Sequence, residues 1–335
     1  MDRDTILEIE HLNTQFRVGK KKVHAVNDVN LKVKRGKMLG IVGESGCGKS
    51  VTAHSVLQLL PPNGGIAGGK ILFKPDPDEE ELELSKLKKN SPELRKIRGQ
   101  QIAMIFQDPM TSLNPVYSIG KQITENLRIH ENVSKEDARK RVVELLAKLG
   151  IPDPEQRYDE YPHQFSGGMK QRVMIAIAMI CNPKLLIADE PTTALDVTIQ
   201  AQILRLMKQL REEFGTTIIL ITHNMGIVAQ CCDDVAVMYM GRVVEAGSKT
   251  QIFKNPIHPY TRALLRSVPV PGMPEDKELE SIRGNTPDAS IQFDHCEFEP
   301  RCDFACEKCF GGYPEPIEVE PGHFVRCFVR NGGAE

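Results

Sequence analysis

Apolar and polar positions alternate along the start of the chain. Ile6, Leu7, Ile9 and Leu12 lead towards Val18, and Val23 leads towards Val33, which predicts two strands. Met38 to Val42 is a short apolar strand that runs straight into a glycine loop. A helix is predicted over 49–60, ended by Pro61-Pro62-Asn63-Gly64-Gly65. The stretch 76–98 is highly charged and reads as a surface excursion with a short helix; 101–106 predicts another strand. From about 118 to 182 the period turns helical, with Ser134, followed by Lys135, Glu136 and Asp137, as the start of an amphipathic run to Leu149. Strands return at 184–189, 216–222 and 234–239, with a helix over 197–214. Strand–helix alternation implies an α/β protein whose sheet is largely parallel and covered on both faces, with the helical block inserted between sheet segments. After Gly247 the composition changes, and the Pro-containing stretch 269–287 reads as a linker into a small Cys-rich tail.

Composition narrows the class without deciding it. The chain has 335 residues, 40% hydrophobic and 26% charged, as expected of a globular protein with room for a large domain and an appendage. A net charge of −2 gives no overall basic footprint for nucleic acid, and the lysine runs at 20–22 and 86–89 read as solvated surface. The opening MDRDTILEIEHLN is charged and lacks the apolar core of a signal peptide. The longest apolar run, 173–181, is far short of the ~20 residues of a spanning helix, so a soluble, cytoplasmic chain is expected. In that compartment nine cysteines argue against structural disulfides. Five crowd into the tail, at 296, 302, 306, 309 and 327; the other four read as inert buried thiols.

Two turns are ready for phosphate. Gly43-Glu44-Ser45-Gly46-Cys47-Gly48-Lys49-Ser50 fits G-x-x-x-x-G-K-S/T between a strand and a helix. Glycines let the backbone N–H groups wrap phosphates, Lys49 reaches the β- and γ-phosphates, and the Ser50 hydroxyl ligates Mg²⁺. The second turn, Ser166-Gly167-Gly168-Met169 in FSGGMKQR, opens a helix and so offers N–H groups and a positive dipole end. It precedes an apolar strand ending in Asp189-Glu190. Adjacent acids at a strand end point in different directions, which allows Asp189 to hold the metal and Glu190 to activate water. His223 ends the strand 217–222, and Gln107 follows the strand 102–106; either alone reads as a packed or solvated polar residue, but strand ends open on one crevice in such sheets.

Together these residues resemble the ABC-type ATPases over nearly the whole chain. The resemblance makes Gly43 to Ser50 the Walker A loop, Gln107 the Q-loop glutamine and Phe165 to Met169 the signature motif. Asp189 and Glu190 become Walker B and its catalytic glutamate, Ala194-Leu195-Asp196 the D-loop, and His223 the switch histidine. It implies an ABC-type P-loop NTPase: a mixed sheet core with antiparallel N-terminal strands, a helical subdomain insert at about 108–182, an ATPase domain over 1–250, and a small Cys-rich extension over 251–335. The implied nucleotide site comprises Phe16 on adenine and Gly43, Glu44, Ser45, Gly46, Cys47, Gly48, Lys49, Ser50 and Val51 on the phosphates. Mg²⁺ would be held by Ser50, Gln107 and Asp189, with Glu190, His223 and Gln107 as catalytic residues. The signature usually begins with Leu and ends with Gln; here these are Phe165 and Met169, while Ser166, Gly167 and Gly168 are intact. In the family the signature caps the γ-phosphate of a partner across a head-to-tail dimer.

The flanks point to one branch. Tyr161 to Met169, Gly43-Glu44-Ser45, Phe106-Gln107-Asp108-Pro109-Met110 and His258-Pro259-Tyr260-Thr261-Arg262-Ala263-Leu264-Leu265 are similar to peptide-importer ATPase subunits. The implied partners are a second ABC ATPase subunit in a heterodimer (a homodimer in isolation), two transmembrane permease subunits and an extracytoplasmic peptide-binding protein, with the chain peripheral on the cytoplasmic membrane face. Alternatives are a nickel-chelate importer ATPase and a soluble ABC-type ATPase acting on nucleic acid, the latter disfavoured by the lack of basic stripes or tandem ATPase halves. Cys296, Cys302, Cys309 and Cys327 have the spacing C-x5-C-x6-C-x17-C, without the C-x2-C pairs of a zinc ribbon. Four clustered thiolates suit a 4Fe–4S cluster, with zinc as the alternative and Cys306 as a competing ligand. The same segment resembles the cysteine tail of some peptide-importer subunits, which can hold such a cluster.

Overall fold

The structure, a computed structural model, describes residues 1–108, 112–193, 195–268, 282–288, 290–291 and 293–328. Pro109, Met110, Ala194 and most of the stretch 269–287 lie outside the described residues. The chain divides into two compact units, one of residues 1–74, 78–86 and 221–335, the other of 75–77 and 87–220.

In the first unit β1 (Thr5–Val18) and β2 (Lys21–Lys34) pair antiparallel, as the opening alternation predicts. With β4 (Gly64–Phe73) and the short β5 (Leu82–Glu83) they form an antiparallel sheet of order β2-β1-β4-β5. β4 is not legible in the sequence, because its first residues, Gly64-Gly65, read as breakers. Gly64 pairs with Phe16, and a Cβ there would meet the Phe16 ring at 2.4 Å, so the glycine is a strand residue making room for an aromatic. A second group of strands runs β11 (Ile317–Glu320), β12 (His323–Val325), β10 (Arg242–Ser248), β9 (Asp234–Tyr239), β3 (Met38–Val42). Only the β3–β9 pair in this group is parallel. The helix α1 (Lys49–Val56) stops earlier than 60 because Gln58 turns left-handed, at φ +49°. α8 (Met225–Cys231), α9 (Lys249–Lys254) and α10 (Pro259–Arg266) complete the unit.

The second unit carries β6 (Ile102–Ile105) parallel to β7 (Leu185–Asp189), with the strand order continuing β6-β7-β8. β8 (Thr217–Thr222) ends at the division between units. Its helices are α2 (Pro92–Ile97), α3 (Ile119–His130), α4 (Lys135–Lys148), α5 (Pro154–Asp159), α6 (Gly167–Met179) and α7 (Val197–Phe214). Ser134 caps α4 by accepting the Asp137 N–H at 3.0 Å, as its sequence predicts. Every residue of β3, β7 and β8 is buried, which is why these strands read as continuous apolar runs instead of alternating ones. Alternation of strands and helices alone implied a largely parallel sheet; the paired strands are mixed, with an antiparallel N-terminal sheet. Among the described residues no helix is long and apolar enough to cross a membrane.

Candidate functional site

The glycine loop follows β3 and is built around close backbone approaches. Gly48 has φ +100°, and a Cβ on it would lie 2.4 Å from the Ala25 carbonyl oxygen. A Cβ on Gly43 would lie 2.1 Å from the Met238 carbonyl oxygen. Only glycine fits either place. Lys49, the first residue of α1, is 5% exposed, and its ammonium donates to the carbonyl oxygens of Gly43 at 2.8 Å and Glu44 at 2.9 Å. The loop thus folds back on its own lysine. Burial raises the Cys47 thiol, so this loop cysteine is an inert packing residue, as expected from sequence. Phe16 is half-buried on β1, its ring over Gly64. His223 is exposed just after β8.

The second unit brings together residues 83 positions apart. Gln107 donates from Nε2 to Glu190 Oε2 at 3.1 Å, and Thr193 Oγ1 donates to the same oxygen at 2.9 Å. Glu190 itself has a left-handed backbone, φ +46°, which is uncommon for a non-glycine residue and places it past the end of β7, out of line with Asp189. Asp189 is 3% exposed and so offers a carboxylate in a nearly dry position. The left-handed backbone at Glu190 follows directly on the strand that carries Asp189. Thr193 was not singled out from sequence; nothing in its neighbourhood except its spacing from Glu190 marks it.

Ser166 caps α6, accepting the Met169 N–H at 3.4 Å, and Ser166 and Gly167 are exposed. Asp196 caps α7 through the Ile199 N–H at 2.9 Å. Gly168 has a second duty: a Cβ there would lie 2.8 Å from Ile199 Cγ2, so the signature turn packs directly on the first turn of α7. Phe165, where the family has Leu, is 5% exposed with the Arg157 guanidinium 5.6 Å from its ring centre. The departure is thus a core substitution that leaves the Ser-Gly-Gly surface open.

The tail closes on the first unit. Arg301 Nη1 and Nη2 donate to the two Glu44 carboxylate oxygens at 2.7 and 3.0 Å, and the Glu44 N–H donates to the Tyr260 hydroxyl at 2.9 Å. Tyr239, Tyr260 and Phe298 pack as a ring cluster with centroids 4.7 to 5.3 Å apart. Arg301 and Tyr260 sit inside stretches that the sequence marks only by family likeness; no local pattern shows what they touch. Among the described residues no disulfide joins any of the nine cysteines. Cys306 and Cys309 Sγ atoms lie 3.6 Å apart, whereas no three or more His, Cys, Asp or Glu side chains come together to hold a metal ion among the described residues. Burial pushes the Cys296 thiol up to about 12 and the Cys302 thiol up to about 11. The tail as placed does not fit a four-thiolate cluster.

Residues 26–193 match the family model described as ABC transporter. The chain belongs to the ABC transporter family. In this ABC protein, residues 244–309 match the oligopeptide/dipeptide transporter C-terminal region. It is 49% identical, over 98% of its length and 96% of the relative's, to a probable peptide ABC transporter ATP-binding protein of Sinorhizobium fredii. It is 48% identical to an oligopeptide transport ATP-binding protein of Bacillus subtilis, covering 99% of both chains. A dipeptide transport ATP-binding protein of the same organism is 46% identical, over 99% of this chain and 97% of the relative. Among solved structures it resembles a dimeric ATP-binding cassette in a post-hydrolysis state bound to ADP and Pi, at TM-score 0.64 and 27% identity over 73% of this chain and 99% of that one. A component of an ABC transporter complex from Clostridium perfringens gives TM-score 0.61 and 32% identity, over 75% and 92% of the two chains.

Proposed function

We propose that this ABC protein is an ATP-hydrolysing subunit that powers import of dipeptides or oligopeptides. The observation that carries the reading is the oligopeptide/dipeptide C-terminal region at 244–309 joined to an ABC cassette. ATP is the substrate of the site. The N–H groups of 43–51 and Lys49 hold its phosphates, and Phe16 meets the base. The glycine cradle at Gly43 and Gly48 and the nearly dry Asp189 carboxylate suit phosphate and Mg²⁺, which Ser50, Gln107 and Asp189 would hold. The metal supplies charge neutralisation at the phosphates; the chain's own residues do the rest. Glu190, fixed by Gln107 and Thr193, takes the proton of the attacking water. His223 and Gln107 complete the catalytic set, Asp196 belongs to the D-loop, and Ser166, Gly167, Gly168 and Met169 serve the nucleotide of a partner ATPase subunit in a head-to-tail dimer.

In this reading the subunit works on the cytoplasmic membrane face, docked on two permease subunits and fed by an extracytoplasmic peptide-binding protein. The 4Fe–4S cluster rests on cysteine spacing and on the likeness of the tail to that of some peptide-importer subunits, and is not needed for hydrolysis. Uptake of labelled dipeptides, longer peptides and nickel chelates by cells lacking the gene, complemented by wild type or Glu190→Gln, tests the assignment. Peptide uptake restored by wild type and not by the variant supports it. Unchanged peptide uptake in the deletion strain with loss of nickel uptake moves it to the nickel branch.

A further inference from the structure

We propose that Arg301, in the C-terminal tail, is a positioning residue of the phosphate loop. The inference rests on the ATP reading above. The Arg301 side chain is 4% exposed, and each of its five N–H directions finds an acceptor. Nε donates to the Arg283 carbonyl at 2.8 Å, and Nη1 to Glu44 Oε2 at 2.7 Å and the Tyr239 hydroxyl at 3.4 Å. Nη2 donates to Glu44 Oε1 at 3.0 Å and the Gly284 carbonyl at 3.4 Å. A planar fork so engaged has one orientation, and it meets the carboxylate two-on-two, the strongest form of such a pair.

Glu44 is the second residue of the glycine loop, and the tail holds its carboxylate and its main-chain N–H. Arg301 takes both carboxylate oxygens, Thr286 Oγ1 donates to Oε2 at 3.3 Å, and Tyr260 accepts the main-chain N–H. The remaining group, the Glu44 carbonyl, accepts from the Lys49 ammonium at 2.9 Å. Arg301 therefore stands one residue away from the lysine that meets the phosphates. A loop that must present several N–H groups to one anion loses affinity if its first turn can drift, since the ordering is then repeated at each binding event. The tail supplies that order in advance, and a side chain 257 positions downstream becomes part of nucleotide recognition.

The test is equilibrium binding of MgATP to the full chain, with steady-state ATPase rates, for wild type, Arg301→Lys, Arg301→Met, Glu44→Gln and the double variant. Removing one partner of a buried, charge-assisted pair is expected to raise Kd and KM about tenfold, with kcat within about threefold of wild type. Arg301→Lys keeps the charge but not the fork, so it recovers only part of the affinity. The two single losses are not additive if both act through one contact, so the double variant binds within about threefold of either single. Should Arg301→Met fail to fold, Glu44→Gln, which keeps shape and loses charge, carries the test alone. Variants with wild-type Kd and KM but a lower melting temperature overturn the proposal, making Arg301 a brace for the tail only. If wild type itself binds no MgATP, the ATP reading fails and the positioning role falls with it.

Discussion

Replacing Glu190 by Gln separates chemistry from folding with unusual clarity here. Two hydrogen bonds to the side chain, from Gln107 and Thr193, end on one oxygen, Oε2. A glutamine with its Oε1 in that place accepts both, and the left-handed backbone at φ +46° is equally open to either residue. The folded state should therefore be unchanged to within about 0.5 kcal/mol. What is lost is proton acceptance from water, worth about 10²–10⁴-fold in rate. Single-turnover phosphate release should fall by that factor while MgATP Kd stays within about threefold, and the protein should accumulate as a dimer on MgATP in size-exclusion chromatography. Hydrolysis within about threefold of wild type would show that Glu190 is not the base and that its two bonds serve only the loop. Loss of ATP binding together with a lower melting temperature would show the isosteric argument to be wrong.

Other perturbations test separate parts. Gly48→Ala puts a Cβ 2.4 Å from the Ala25 carbonyl and forces strain of about 1–3 kcal/mol, so isothermal titration should find MgATP affinity reduced at least about tenfold; unchanged affinity refutes the close-packed loop. Ser166→Ala loses a long 3.4 Å cap, at about 0.5 kcal/mol, and should leave the melting temperature nearly unmoved while abolishing the ATP-driven dimer of a Glu190→Gln background. A dimer that persists there removes Ser166 from the partner's site. Burial lowers the His258 imidazole from 6.5 to about 4, so the unfolded chain takes up that proton first. Stability should be unaffected by this group above pH 6.5 and fall by about 3 kcal/mol in total as pH drops towards 4. His258→Asn, which keeps an acceptor for the Tyr260 N–H, should flatten that part of a pH–denaturation profile, and an unchanged slope would assign it elsewhere.

Much of the site is legible in the sequence because its logic is local. Gly43 to Ser50 needs only a strand before it and a helix after it, and Ser166 or Asp196 needs only the N–H three residues on. The helix over Val197–Phe214 is predictable to the residue, from its cap at Asp196 to the left-handed Gly215. What is not legible is non-local. β4 hides behind glycines whose role appears only once Phe16 is seen against Gly64. The pair of Glu44 and Arg301 spans 257 positions, and neither residue carries a pattern that names the other. The tail shows a related limit: cysteine spacing reports which thiols could converge, and among the described residues no three or more His, Cys, Asp or Glu side chains come together to hold a metal.

The contact of Gly168 with Ile199 has a mechanical consequence. It joins the turn that carries Ser166 to the helix that Asp196 begins, and it does so through atoms without charge or dipole. Coupling of this kind is not weakened by electrolyte, since screening acts on charges and not on steric fit. The two segments therefore share one contact whose fit does not depend on ionic strength, beside the polar one that Arg172 makes to Gln202 at 3.0 Å.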